Sequence, residues 1–250
     1  MKFSHIKNKN KGLWRLMPFS IREKLEAPNR YDVRKELEII LNDFGGKKIE
    51  ILDAGAGDCF AKRFFTGENY KYTAMDFSDG CAVDNPLKLD VFGDVQNIPF
   101  ENNKFDLVLC LEVLEYASDP QKAVSELFRV LKKNGVLLVS MPLMVGFHND
   151  LYRFTPPALK LLIERAGFKI KKIKSVGGFY RLLGWQIAKL GYRGGKPKNK
   201  FFWPFYYIIK ISMGLIFQII IPFFLFHLDW LDKEKTETFG YIVVASKKII

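Results

Sequence analysis

"KIEILDAGAGDC", residues 48–59, decides how the rest of the chain is read. An apolar run ends on an acid, Asp53, and two glycines follow at once, Gly55 and Gly57. The run predicts a buried strand. The glycines predict a sharp turn into a helix, where backbone without a Cβ approaches a ligand closely. Two glycines alone do not separate a ligand site from a plain strand-to-helix turn. A dinucleotide fingerprint needs a third glycine at position 60, where this chain has Phe60. Asp53 also argues against a diphosphate, which a carboxylate repels. It suits a ligand that is cationic at that end.

Outward from this stretch, strand and helix patterns alternate. "DCFAKRFF" (58–65) has helical spacing. "KYTAMDFS" predicts a second strand ending at Asp76, and "LKLDVFGD" a third ending near Asp94. A fourth runs from Phe105 to Leu111. "DPQKAVSELFRVLKK" (119–133) predicts a helix with Asp119 as its cap and Pro120 in its first turn. "NGVLLVSMP" predicts the fifth strand, entered through an Asn-Gly turn. "TPPALKLLIERAGF" predicts another capped helix, stopped by Gly167. "KIKKIKSVG" and "TFGYIVVASKK" supply the sixth strand and the last. Such alternation predicts an α/β, Rossmann-like, doubly wound sheet of seven strands, mostly parallel, whose ligands bind at the strands' carboxyl ends. Asp53, Asp76 and Asp94 would then line one crevice.

Composition agrees with an ordinary globular chain. Of 250 residues, 48% are apolar and 26% charged, and the net charge of +12 predicts a face that attracts anions. Cys59, Cys81 and Cys110 form no C-x-x-C pair, which speaks against a disulfide framework or a metal site and for a reducing, cytoplasmic setting. The basic N-terminus lacks the continuous apolar core of a signal peptide.

With "LDAGAGDC", "YTAMDFS", "GDVQNIPFENNKFDLVLCLEVLEY" and "RVLKKNGVLLVSMP" in view, the chain resembles the class I S-adenosylmethionine-dependent methyltransferases over about residues 45–176 and the final strand. The resemblance implies a last strand antiparallel to the others. It implies that Asp53, Gly55 and Gly57 cradle the methionine end of S-adenosylmethionine. It places Asp76 on the two ribose hydroxyls, Phe77 on the adenine face, and Asp94 with the Val95 backbone at the adenine amino group. Cys110 and Leu111 would lie under the sulfonium. Two departures stand out. "SDGCAVDNP" (78–86) reads as a loop where the family has a helix, and Tyr116 stands where many relatives carry His.

Methyl transfer asks chiefly for alignment and a dry site, with a base only for some acceptors. His148, in the loop after the fifth strand, is the candidate base, and its titration range suits neutral pH. The other reading is a loop histidine that holds backbone. Tyr152 and Arg153 share that loop and are candidate substrate contacts. Arg153 either holds an anionic group or anchors the loop.

About 60 residues separate the last two strands, more than a hairpin connection needs. Twelve Lys and Arg fall between Arg165 and Lys210 with no Asp or Glu among them. An apolar run to Leu228 follows, containing "IFQIIIPFFLFHL". A basic, aromatic band followed by an apolar helix marks a membrane-surface element. As one helix, residues 201–228 reach about 42 Å, too short to cross about 30 Å of hydrocarbon and return. The run is expected to lie in the interface, or to dip in as a shallow hairpin bent at Pro204 or Pro222.

The organisation read from these patterns is a basic N-terminal segment with a helix (1–44), a methyltransferase core (45–178), the basic and apolar insertion (179–236) and a final core strand (237–250). The function expected is methyl transfer to a lipophilic or lipid-linked small molecule or saccharide by a cytoplasmic, peripherally membrane-bound enzyme, with an anionic membrane surface as partner. No nucleic acid and no metal enter this reading. The alternatives are methyl transfer to a soluble metabolite, with the insertion as a dimer interface, and a cofactor-binding scaffold without catalysis.

Overall fold

A computed structural model describes residues 28–77, 89–146, 149–192 and 197–248. The predicted loop at 78–86, Cys81 and His148 lie outside the described residues. The chain divides into two compact units: Asp32–Val176 with Phe239–Ile250, and Gly177–Thr238 with the residues up to Tyr31.

The larger unit is built on one sheet. Helix α1 (Pro28–Asp43) leads into β1 (Ile49–Ala54), β2 (Tyr70–Asp76), a two-residue β3 (Val91–Phe92) and β4 (Phe105–Leu111). Helix α2 (Pro120–Val130), β5 (Leu131–Pro142), α3 (Pro156–Arg165), β6 (Lys169–Ser175) and β7 (Gly240–Ser246) complete it. The strand order is β3-β2-β1-β4-β5-β7-β6. The pairs among β1 to β5 are parallel, while β7 runs antiparallel to both β5 and β6. The order reverses between β1 and β4, which opens a crevice at their carboxyl ends. Leu52, Val108, Leu127, Leu137 and Val243 belong to one buried core.

Several elements differ from the sequence expectation. "DCFAKRFF" forms only a tight five-residue turn, Phe60–Phe64, entered through a left-handed Cys59. In place of a full third strand, only Val91 and Phe92 pair with β2. Helix α2 is capped as expected, with the Asp119 carboxylate accepting from Lys122 N at 3.0 Å, but it stops at Val130. Leu131–Lys133 belong to β5 instead, and Asn134 takes a left-handed φ of 63° in an irregularity of that strand. Lys247 explains the early stop. Its buried ammonium donates to the carbonyls of Phe128 and Leu131, both at 2.8 Å. The carbonyl of Phe128 is one that a continuing helix would use internally. Thr155 starts α3 without a side-chain cap, while Gly167 ends it with φ 99°.

The second unit is helical. Helix α4 (Phe179–Ala188) packs on the end of a continuous 32-residue helix, Lys200–Leu231. That helix comprises α5 (Trp203–Gly214), a π turn (Leu215–Ile220) and α6 (Ile221–Leu228). Helical structure continues through Pro204 and Pro222, and no hairpin interrupts it. Pro204 sits in the first turn of α5, where its missing N–H costs nothing, and the wide π turn precedes Pro222. Among the described residues, this is the one helix long and apolar enough to cross a membrane by length and composition.

Candidate functional site

The turn after β1 is fixed by the end of β2, because Gly55 N and Ala56 N both donate to Met75 O, at 2.8 and 3.0 Å. Gly55 adopts φ 85°, and a Cβ there would drive into the side chain of Val113. Both facts require glycine, the first because L side chains avoid that region. Gly55→Ala is expected to lower stability by about 1–2 kcal/mol from backbone strain alone, with the displacement of Val113 in addition. Denaturant titration giving an unchanged midpoint would refute this.

The three acids fall at the carboxyl ends of three neighbouring strands. Asp53 is opposite Ala74 of β2 and Leu109 of β4. It is almost fully buried and accepts a short hydrogen bond from the Tyr72 hydroxyl. Burial raises its pKa to about 7; the Tyr72 bond opposes this, and the charges of Asp76 and Asp58 add to it. Burial, with the Asp53 charge and hydrogen bond, pushes the Tyr72 phenol well above its ordinary range. Asp76 ends β2, and its two carboxylate oxygens accept from Gly57 N and Phe77 N, both at 2.7 Å. Asp94 follows β3 and is oriented by Gln96, whose N–H donates to it at 2.7 Å. Gln96 in turn accepts from Ser118 Oγ and Asp119 N, at 2.9 and 2.8 Å.

The remaining sequence candidates divide. Phe77 is half exposed at the end of β2, as a ring that stacks on a ligand must be. Val95 is buried, so only its backbone is available. Leu111, at the end of β4, is partly exposed. Cys110 differs from expectation: its side chain is fully buried in the core, and burial pushes its thiol up. For Arg153 the structure shows the loop contacts of the second reading. Its guanidinium is paired to Asp150 and donates to Leu143 O and Gly146 O at 3.0 and 3.2 Å. These contacts anchor the loop. Tyr152 is partly exposed and stacks on Phe154.

Three residues escape sequence reasoning. Tyr72 opens the quoted stretch "YTAMDFS" inside β2, but nothing local ties its hydroxyl to Asp53. Glu112 follows β4 at φ 58°, an uncommon backbone for a residue other than glycine. Its N–H donates to Ser140 O and its carboxylate accepts from Ser140 Oγ, both at 3.0 Å. Glu115 is buried, and its backbone carbonyl accepts from Leu151 N and Tyr152 N at 2.7 and 3.2 Å. Nothing in "LEVLEY" distinguishes it from a surface acid.

The donors and acceptors fit one kind of ligand. Ionised carboxylates accept hydrogen bonds from hydroxyls and ammonium groups and repel phosphates. The turn offers close backbone approach at the switch point of the sheet. Residues 52–139 match the family described as "Methyltransferase domain". The chain is 31% identical over 149 residues to an uncharacterized protein of Methanocaldococcus jannaschii, covering 57% of this chain and 65% of that one. It is 25% identical to 2-methyl-6-phytyl-1,4-hydroquinone methyltransferase 1 of Oryza sativa, over 55% of this chain and 50% of the relative. It is 27% identical to the ubiquinone biosynthesis O-methyltransferase of Rickettsia canadensis, over 37% and 42%. The chain thus spans less than two thirds of the length of these relatives. Among solved structures, a SAM-dependent methyltransferase from Archaeoglobus fulgidus shares the fold with a TM-score of 0.54 at 16% identity, over 90% of this chain and 97% of that one. Residues 52–139 thus match a methyltransferase domain, and the sheet has the mostly parallel strands and the antiparallel β7 that the resemblance implied.

Proposed function

We propose that the chain transfers a methyl group from S-adenosylmethionine to a lipophilic or lipid-linked acceptor at the cytoplasmic surface of a membrane. The observation that carries the chemistry is the row of acids, Asp53, Asp76 and Asp94, at adjacent strand ends beside the Gly55–Gly57 turn. In this reading Asp53 and the Gly55 and Gly57 backbone hold the methionine end. Asp76 takes the ribose hydroxyls, Phe77 covers the adenine, and Asp94 with the Val95 backbone meets the adenine amino group. Leu111 and the Cys110 backbone lie under the sulfonium, which when bound supplies an activated methyl group. His148 serves as base where the acceptor is a hydroxyl, and Tyr152 lines the acceptor's side.

A lipophilic acceptor is favoured by relatives whose names specify hydroquinone and ubiquinone biosynthesis. It is also favoured by the exposed apolar side chains Met144, Leu151 and Tyr152 in the segment after β5. The apolar helix Lys200–Leu231, with its basic flank, supports the membrane. Incubation with methyl-labelled S-adenosylmethionine and membrane lipid extract is expected to label a lipid. Label entering only water-soluble metabolites would favour the soluble-acceptor reading, and cofactor binding without any turnover the scaffold.

Membrane affinity is expected to have two parts. Basic residues contribute about 1 kcal/mol each to anionic lipid, weakened by salt, and the apolar run adds a part that salt does not touch. Deleting residues 201–228 should therefore leave a weak, salt-sensitive binder. Changing Lys196, Lys198 and Lys200 to Glu should weaken binding to anionic vesicles more than to neutral ones. Full-length protein remaining in the supernatant with anionic vesicles at low salt would leave a second copy as the cover of the apolar run.

A further inference from the structure

We infer that the helix Lys200–Leu231 lies in the plane of the bilayer surface along its whole length, submerging one long apolar side without crossing. The inference rests on the membrane reading above and adds the orientation and the face.

The helix spans about 48 Å at 1.5 Å per residue, more than the roughly 30 Å hydrocarbon core. Its connections rule out a single crossing. The residues flanking the insertion are bonded to each other, Val176 N to Gly240 O at 2.9 Å and Phe239 N to Val176 O at 3.2 Å. Both flanks therefore stay on one side of the membrane. A second crossing would need about 20 apolar residues, and α4 offers ten, including Arg181. Exposed charges stand at both ends of the helix, Lys198 and Lys200 at one and Lys233 and Glu234 at the other. Both ends must then reach water. The Asp229 end is held, since its carboxylate accepts from Gly178 N and Arg181 N at the start of α4, at 2.9 and 3.1 Å. Lys210 falls about 15 Å along the helix from Lys200, where a spanning helix would carry it deep into hydrocarbon at high cost. Lying flat, its stem reaches the headgroups.

The π turn sets which side is submerged. In an unbroken α-helix, positions 208 and 224 point about 160° apart, at 100° per residue. The extra residue in the wide turn takes back roughly one residue's rotation, which brings them to about 60°. Ile208 and Phe224 are each 63% exposed and Ile216 between them 45%. The opposite edge, Gly214, Gln218 and Pro222, is buried. A Cβ on Gly184 of α4 would sit 3.2 Å from Pro222 Cα, so α4 backs this edge closely. The basic band favours anionic lipid over a second copy, whose own basic band would repel it.

The test uses full-length single-tryptophan variants, with Trp14, Trp185, Trp203 and Trp230 changed to Phe, carrying Ile208→Trp, Ile216→Trp or Phe224→Trp. Each is mixed with anionic vesicles whose lipids are brominated at shallow or deep acyl positions. Retained binding of S-adenosylhomocysteine shows that each variant is folded, and the variant keeping only native Trp230 gives an independent reading. Shallow bromines are expected to quench all four sites to a similar degree, and deep bromines less. Stepwise quenching from 208 to 224, positions about 24 Å apart along the axis, would overturn the flat orientation while leaving the membrane reading intact. No quenching, with no vesicle binding, would sink both. Tryptophans shielded without vesicles, in a concentration-dependent dimer, would assign the face to a second copy.

Discussion

Asp76→Ala is expected to lower affinity for S-adenosylhomocysteine at least a hundredfold. Two ribose hydroxyls donating to one ionised carboxylate make two charge-assisted hydrogen bonds, worth about 1.5–3 kcal/mol each. Losing both costs about 3–6 kcal/mol, and each 1.4 kcal/mol is a factor of ten. The same carboxylate receives Gly57 N and Phe77 N, so the truncation also releases the glycine turn. Asp76→Asn separates the two effects. Its amide oxygen keeps one backbone donor in place, while its NH₂ faces the other backbone N–H as donor to donor and offers no acceptor to the second ribose hydroxyl. Asn is therefore expected to bind more weakly than wild type and more tightly than Ala. Titration calorimetry showing wild-type affinity in Asp76→Ala would remove Asp76 from the ligand site, and binding of NAD would overturn the site altogether.

The parts of the site legible in the sequence are those written in neighbouring residues. Asp53, Asp76 and Asp94 each close an apolar run, and β4 was read with the bounds Phe105–Leu111 that the structure has. The turn at Gly55 announces itself by its glycines. What stayed hidden depends on residues far apart in the chain. The early end of α2 is made by Lys247, more than a hundred positions away, reaching the helix's last carbonyls. The role of Arg153 stays open in the sequence because two of its three partners there are backbone carbonyls, which any residue supplies. Tyr72 meets Asp53 only because parallel pairing sets β2 beside β1. The π turn Leu215–Ile220 within the long helix stays hidden for a local reason, since nothing in "LIFQII" marks it. Burial of Glu115 also escapes pattern, since it sits in a short turn where helical periodicity gives no guidance.

Glu115→Gln is expected to stabilise the protein at alkaline pH. The residue is 1% exposed, and its Oε2 has no hydrogen-bond partner. Burial raises its pKa from 4.5 to about 9, with the charges of Glu112 and Asp150 adding and that of Arg153 opposing. A folded carboxyl that keeps its proton where the unfolded one has lost it binds more protons in the native state. Stability then falls as pH rises, by up to about 1.4 kcal/mol per unit for one group. The loss begins near the unfolded value of 4.5 and levels off near 9 for Glu115. For Asp53 it runs from 3.8 to about 7. Glu36, Glu50 and Glu126, whose pKa values are lowered by lysine and arginine partners, act in the opposite sense. Their contribution is lost only in acid, below the ordinary carboxylate range. Between pH 7 and 9 the slope therefore belongs chiefly to Glu115 among these carboxyls. Gln keeps the shape and cannot ionise, so the variant's stability should vary less with pH there. At pH 8 a gain on the order of 2–4 kcal/mol over wild type is expected, after allowing for the burial of the amide. Glutamine also leaves the loop bonds from Leu151 and Tyr152 in place, because these end on the backbone carbonyl. Denaturant titrations of both proteins at several pH values between 7 and 9 decide the matter. Parallel curves would mean that Glu115 ionises in the folded protein as freely as in the unfolded chain.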